Sequence, residues 1–211
     1  MTVLLVDVDG TLIDSFPGIR AGFLHALDSV GWPHPSDDVV SRIAGPPMET
    51  TLSSLGMADD TVREAFEAYM SFTRDGGWAD ASAFPGIRNL LAAWHNDGFR
   101  MVTATSKGEG FARAILEREG LMEYFEFLGA AEEYGTRRTK EAVIQYVFDN
   151  VDLDNEKILM IGDRHHDIDG AAAFGVPTAI VTWGYGTQPE WDDADFVART
   201  LQELDQIVRN F

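Results

Sequence analysis

From Phe84 onward, strand-like and helix-like segments alternate strictly, and this alternation limits the possible folds more than any other feature. Short apolar or β-branched runs predict five strands, one of which precedes the alternating part: Thr2–Val6, Arg100–Ala104, Phe127–Gly129, Lys157–Ile161 and Thr178–Val181. Apolar residues at helical spacing predict the helices Ile87–Asn96, Gly110–Glu119, Thr139–Val151, Asp167–Phe174 and Leu201–Val208. Strands that alternate with helices form a parallel sheet covered on both faces. The sequence therefore predicts an α/β fold, a Rossmann-like doubly wound parallel sheet.

Residues 15–80 follow a different pattern, with helical spacing and no convincing strand. The predicted helices are Pro17–Val30, a short helix capped by Ser36 that runs through Ile43, Met48–Leu55 and Asp60–Arg74. Because this block lies between the first strand and the alternating part, we interpret it as an insertion. We predict a Rossmann-like core at residues 1–14 and 82–211 and a small all-helical cap at residues 15–81.

The composition excludes several classes of function. The absence of cysteine excludes disulfides, thiolate zinc sites and a cysteine nucleophile. The net charge of −19 argues against binding a nucleic acid polymer, whose phosphates would be repelled. The longest apolar runs are far shorter than the roughly 20 residues that span a bilayer, and a signal peptide pattern is absent. We expect a cytoplasmic protein, monomeric or homodimeric, whose partner is a small molecule rather than a membrane.

Acidic and hydroxyl side chains follow three of the predicted strands where those strands end. In chain order they are Asp7 and Asp9, then Thr105-Ser106-Lys107, then Asp163 with Asp167 four residues later. Ligands of open parallel sheets bind beyond the carboxyl ends of the strands. If the three strands are central, these groups meet at one rim of the sheet.

Carboxylates gathered at one rim repel each other unless a cation lies between them. Hard oxygen ligands without cysteine favour Mg²⁺. A magnesium ion with hydroxyl groups and a lysine suits a phosphoryl group, because its transfer depends on positioning and charge neutralisation. A carboxylate such as Asp7 can attack phosphorus to form an aspartyl-phosphate, and Asp9 lies close enough in sequence to protonate the leaving oxygen.

The same segments resemble the four motifs of the haloacid dehalogenase-like hydrolases, in order and over essentially the whole chain. The matching segments are Asp7-Val8-Asp9-Gly10-Thr11, Thr105-Ser106-Lys107, Lys140 within 139–144, and Gly162-Asp163-Arg164-His165-His166-Asp167. In the predicted cap, Ile43-Ala44-Gly45-Pro46-Pro47-Met48 is similar to a Gly-Pro-Pro signature of the phosphoglycolate phosphatase and 5′-nucleotidase-like branch.

The resemblance implies a role for each matching residue. Asp7 is the nucleophile and a magnesium ligand, and Asp9 is the general acid and then base, binding magnesium through its backbone carbonyl. Thr105 and Ser106 hold phosphoryl oxygens by the hydroxyl and the amide, respectively. Lys140 is implied to pair with the nucleophile and the phosphate. Asp163 is implied to bind the metal directly, and Asp167 to bind it through a water molecule. Halide-displacing members lack an acid at the position of Asp9, so its presence favours phosphate chemistry.

Three functions are compatible with this pattern. The first is a magnesium-dependent phosphatase that acts on a small phosphorylated metabolite such as phosphoglycolate or a 5′-nucleotide. The second is a sugar phosphomutase of the same superfamily, and the third is a non-catalytic binding relative, against which the intact motifs argue. Each motif residue also has a structural alternative as a turn, a helix cap or a solvated side chain.

Several further residues are open to two interpretations. We interpret His165 and His166 as loop residues rather than metal ligands, although Arg164 or His165 could contact the substrate or the cap. Trp183-Gly184-Tyr185-Gly186 is interpreted as a packed surface loop rather than part of the site. Arg20 and Arg42 in the cap are interpreted as exposed helix residues rather than substrate ligands.

Overall fold

The computed structural model describes residues 2–211, which contain a six-stranded parallel sheet and a separate two-stranded pair. The strands in chain order are β1 Thr2–Val6, β2 Ile13–Asp14, β3 Ser82–Ala83, β4 Arg100–Gly108, β5 Phe127–Ala131, β6 Lys157–Gly162, β7 Thr178–Val181 and β8 Phe196–Ala198. The main sheet has the order β5-β4-β1-β6-β7-β8. In the register, Val6 lies opposite Thr103 of β4 and Ile161 of β6, so these three strands end at one edge.

Ten α-helices are distributed over the described residues. They are α1 Phe16–Ser29, α2 Asp37–Val40, α3 Met48–Ser54, α4 Asp59–Arg74, α5 Ile87–Asn96, α6 Glu109–Arg118, α7 Lys140–Asn150, α8 His165–Ala172, α9 Gln188–Trp191 and α10 Leu201–Asn210. The predicted helices all appear, and the predicted α/β doubly wound class is confirmed.

The central strand β1 is buried on both faces. Leu4 and Val6 pack into one hydrophobic cluster with the α5 and α6 side, whereas Val3 and Leu5 pack into a second cluster with the α7 side. All four side chains are fully buried. Each such burial contributes about 1.5–3 kcal/mol, which explains why this strand is a continuous apolar run rather than an alternating one.

The structure differs from the sequence-based expectation at several short elements. The strand β4 continues to Gly108 rather than ending at Ala104, with a shift in register between Thr105 and Gly108. Its polar end, Thr-Ser-Lys, lacks the apolar signal on which the prediction depended. The strand β8 and the helix α9 are only three and four residues long, which is too short for a periodic pattern.

The segment 15–81, which we call the cap segment, has a hydrophobic cluster of its own. That cluster includes Phe23 and Leu27 of α1, Leu52 of α3 and Phe66 of α4. The short antiparallel pair of β2 and β3 joins the two ends of the segment. The predicted division into core and cap stays a prediction. Within residues 2–211, no helix has the length and apolarity needed to span a bilayer.

Candidate active site

The loop after β1 carries the first two carboxylates. The backbone amide of Asp7 donates to the carbonyl of Ile161 at 2.9 Å, which extends the pairing of β1 and β6 by one residue. Gly10 then turns the chain with a φ of +80°, in the left-handed region that favours glycine. A Cβ atom at Gly10 would collide with the carboxylate of Asp163, so the first and fourth motif segments touch at this point.

Three carboxylates form a buried cluster at this edge of the sheet. Asp7, Asp163 and Asp167 each offer an oxygen, and these oxygens lie within 4.8 Å of one another. Asp167 Oδ2 accepts hydrogen bonds from the amides of Asp163 at 3.0 Å and Arg164 at 3.1 Å. Asp163 Oδ2 accepts from the amide of Tyr185 at 2.6 Å. Asp163 Oδ1 is buried and has no hydrogen-bond partner among residues 2–211.

Lys140 provides the positive charge of this cluster. Its Nζ lies 2.9 Å from Asp7 Oδ1 and 2.7 Å from Asp167 Oδ1, and it donates to the carbonyl of Ala104 at 2.7 Å. Lys140 is the first residue of α7, whose N-cap Thr139 accepts a hydrogen bond from a backbone amide in the first turn. The ammonium group is buried, and three oxygens lie within 2.9 Å of it. The structure thus places Lys140 between two of the predicted metal ligands.

The charges of the cluster do not balance. Burial raises the pKa of Asp7 to about 6, against the opposing effect of Lys140 and with a further increase from Asp167. Burial, Asp167 and Asp7 together raise the pKa of Asp163 well above its ordinary value. Burial opposes the charged form of Lys140, but Asp167 and Asp7 outweigh it and raise the pKa of Lys140. Three carboxylates with one ammonium group therefore suit an additional cation.

The donor set fits a magnesium ion. It consists of carboxylate oxygens, the hard ligands that Mg²⁺ prefers, and it includes the buried, unpartnered Oδ1 of Asp163. Elsewhere in the described chain, no further group of three histidine or acidic side chains comes together in this way. The rings of His165 and His166 are tilted against each other with centroids 3.8 Å apart, and neither residue belongs to the cluster.

Asp9 lies in a second polar group, on the solvent side of the cluster. Lys107 Nζ is 3.1 Å from both carboxylate oxygens of Asp9, and Ser15 Oγ donates to Oδ1 at 2.5 Å. The buried hydroxyl oxygen of Thr105 accepts from the amide of Lys107 at 3.2 Å. Thr105 and Lys107 therefore lie together in the irregular part of β4, near its carboxyl end.

A cleft opens above these residues, between the ends of β1 and β4 and the cap segment. Its lining includes Asp7, Asp9, Thr105, Ser106 and Lys107 from the core, and Gly45–Met48, Phe66, Tyr69 and Met70 from the cap segment. The Gly-Pro-Pro sequence thus forms part of the wall. Lys140, Asp163 and Asp167 are not in the lining of this cleft. Arg20 and Arg42 are exposed and lie outside the lining.

Two residues near the site were not predicted as site residues. Lys107 was noted only as part of a motif, although it is the ionic partner of Asp9. Tyr185 binds Asp163 through its amide, and its hydroxyl accepts from the amides of Ser15 at 2.8 Å and Phe16 at 3.0 Å. The loop 183–186 is half-buried, as a packed surface loop would be, but it also contacts the acidic cluster through Asp163. Its position directly after β7 was the available signal.

Arg164 connects the acidic loop to the cap segment. This buried side chain donates to the carbonyl of Ala44, and its Nε lies 2.9 Å from Glu190 Oε2 in α9. The contact with the cap that the sequence left open for Arg164 is therefore present.

The profile of the haloacid dehalogenase-like hydrolases matches residues 4–181. The chain is 41% identical to the tyrosine-protein kinase PtkA of Mycobacterium tuberculosis over 94% of this chain and 66% of PtkA, so it spans about two thirds of that relative. It is 34% identical to a 5′-nucleotidase of Pseudomonas aeruginosa, over 89% of this chain and 85% of the relative. A crystal structure of a predicted phosphatase from Clostridium acetobutylicum superposes with a TM-score of 0.94 at 29% identity, covering 100% and 99% of the two chains.

Proposed function

The chain belongs to the haloacid dehalogenase-like hydrolases, and we propose that it is a magnesium-dependent phosphatase acting on a small phosphate monoester. One observation carries this proposal. The carboxylate of Asp7 lies at the base of a cleft, 2.9 Å from the buried ammonium of Lys140 and beside the carboxylates of Asp163 and Asp167. The proposed nucleophile, its countercharge and the proposed metal ligands therefore lie close together.

We assign the metal ligands to the carboxylates of Asp7 and Asp163 and the backbone carbonyl of Asp9, with Asp167 acting through a water molecule. A bound magnesium ion supplies positive charge that offsets the charge of the phosphoryl oxygens. The hydroxyl of Thr105, the amide of Ser106 and the ammonium of Lys140 hold those oxygens by hydrogen bonds. In this arrangement the protein's main contribution is to orient the phosphate in line with Asp7.

The reaction proceeds in two displacements at phosphorus. In the first, a carboxylate oxygen of Asp7 bonds to phosphorus while the ester P–O bond breaks, and Asp9 gives its proton to the leaving oxygen. In the second, Asp9 takes a proton from water as the water oxygen attacks phosphorus. The bond between Asp7 and phosphorus then breaks, which releases inorganic phosphate, restores the carboxylate of Asp7 and leaves Asp9 protonated for the next cycle.

The test is the release of inorganic phosphate from a panel of phosphorylated metabolites with Mg²⁺, in which glycolate phosphate and nucleoside monophosphates come first. The variant Asp7→Asn should lose at least about 10³-fold in kcat, because an amide cannot serve as the nucleophile. Its thermal unfolding with the metal removed verifies the fold, and Asp38→Asn, an exposed cap change, is the matched control. Undiminished turnover by Asp7→Asn, or activity that persists in excess chelator, contradicts the proposal. Isomerisation of a sugar phosphate without phosphate release would assign a phosphomutase.

A second candidate is phosphoryl transfer to tyrosine. It is favoured by the 41% identity, over 94% of this chain, to proteins named tyrosine-protein kinase. Incubation with MgATP and a tyrosine-containing peptide distinguishes the two functions. Phosphotyrosine that forms with the wild-type chain and not with Asp7→Asn would support the kinase, whereas free phosphate from monoesters without peptide labelling supports the phosphatase.

A further inference from the structure

The part of the cleft beyond the carboxylates is mainly apolar. Its wall includes Ile43, Met48, Phe66 and Met70 of the cap segment and Phe111 of α6. The four cap side chains are almost fully buried, so their positions are fixed by packing. The cleft encloses about 100 Å³ and is partly open to solvent.

Both cations in the cleft lining are already paired with carboxylates. Lys107 pairs with Asp9. Arg138 Nη2 lies 2.7 Å from both oxygens of Glu49, in the cap segment. The same guanidinium donates to the carbonyls of Glu132 and Glu133.

A further carboxylate, that of Glu133, also lines the cleft, and it accepts the amide of Gly110 at 2.7 Å. An anionic group entering here would meet the negative charge of Glu133 and would compete with Glu49 for Arg138. Because the two cations are engaged, electrostatics disfavours a leaving group that carries a carboxylate.

Uncharged polar residues and aromatic rings also line the cleft. Tyr69 and Thr73 of α4 belong to its lining, and the hydroxyl of Thr73 donates to the carbonyl of Tyr69 at 2.8 Å. Burial and the nearby Asp9 raise the pKa of Tyr69, so its phenol stays protonated as a neutral donor. Phe66, Tyr69 and Phe111 offer ring surfaces, and the thioethers of Met48 and Met70 pack well against aromatic groups.

We propose that the leaving group of the substrate is an uncharged alcohol with an aromatic ring, and that carboxylate-bearing esters such as phosphoglycolate are poor substrates. This inference rests on the phosphatase function proposed above. The phosphate lies at Asp7 and Lys140, and the ring lies against Phe66, Met48 and Met70 of the cap segment. The ion pair of Arg138 with Glu49 keeps that wall neutral.

Three phosphate esters distinguish the effect of the leaving group's charge from the effect of its size. They are 2-phenylethyl phosphate, n-propyl phosphate and phosphoglycolate. Propyl phosphate resembles phosphoglycolate in size but lacks its carboxylate, and all three have similar alkyl oxygens as leaving atoms. With Mg²⁺, we expect kcat/KM to fall roughly tenfold from the phenylethyl to the propyl ester, and roughly tenfold again to phosphoglycolate. Equal or better turnover of phosphoglycolate overturns the inference but leaves the phosphatase function standing. Failure of all three to release phosphate overturns the phosphatase function itself.

The variant Glu49→Gln tests the role of the ion pair. Because it releases Arg138, the ratio of kcat/KM for phosphoglycolate to that for the phenylethyl ester should rise about fivefold or more. Asp38→Asn removes the carboxylate partner of Arg42, an exposed cap arginine outside the cleft, and should leave this ratio unchanged. A ratio that stays constant in Glu49→Gln, with the fold retained, contradicts the assigned role of Arg138.

Discussion

The metal-free protein should lose stability as the pH rises, because Asp7 ionises in a buried site. Its pKa is raised from 3.8 to about 6 in the folded chain, chiefly by burial. A group that binds its proton more tightly in the folded state stabilises that state below its unfolded pKa. This contribution is lost as the pH rises through the folded pKa, here between about pH 4 and pH 6. A difference of about two pKa units corresponds to roughly 3 kcal/mol.

The variant Asp7→Asn removes this titration and makes the effect measurable. Urea unfolding in excess chelator should be followed for both proteins between pH 5 and pH 8. The free energy of unfolding of the variant, relative to wild type, should increase over this range by on the order of 1–2 kcal/mol, about half of the full effect. Neutralising Asp7 also removes its repulsion of Asp163, which acts in the same direction.

Asp38→Asn is the control, because this carboxylate is exposed and distant from the acidic cluster. A difference between Asp7→Asn and wild type that stays constant, or that decreases with pH, refutes the reasoning. Magnesium should reverse the loss in the wild type, since a ligand present at 100 times its Kd stabilises by about 2.7 kcal/mol. The variant, which lacks one ligand, should respond less.

Two further predictions concern side chains that connect the site to its surroundings. Lys107→Met should lower kcat for phosphate release about tenfold or more, because Asp9 loses the ammonium that orients both of its oxygens. Lys107→Arg should recover part of this loss in the same steady-state assay, whereas an unchanged kcat in Lys107→Met would remove Lys107 from a positioning role. Arg164→Gln should lower the free energy of unfolding by about 2–3 kcal/mol, because it removes a buried guanidinium that pairs with the partly buried Glu190. Urea unfolding measures the loss, and the exposed Arg42→Gln should cost well under 1 kcal/mol.

The sequence predicts the sheet and the acidic rim well because both depend on local signals. The apolar runs define the strands, and parallel strands place their carboxyl ends together, which brings Asp7 and Asp163 to one edge. The contact of Lys107 with Asp9 has no such signal, since the two are separated by 98 positions and the contact depends on side-chain direction. For the same reason, the hydrogen bond from Arg164 to the carbonyl of Ala44 becomes visible only in the folded chain.

The side chain of Asp163 is held in position by close packing against neighbouring residues rather than by a positively charged partner. Its carboxylate packs against two glycines, Gly10 after β1 and Gly184 after β7, and a Cβ atom at either would collide with it. The amide of Tyr185 fixes one oxygen, whereas the other is left buried without a partner. This arrangement destabilises the metal-free protein, because a buried charge lacks compensation. In the proposed function, the same packing holds an oxygen ligand in place before the cation arrives. The acidic cluster is therefore a feature that stability alone would not favour, and function explains it better than packing does.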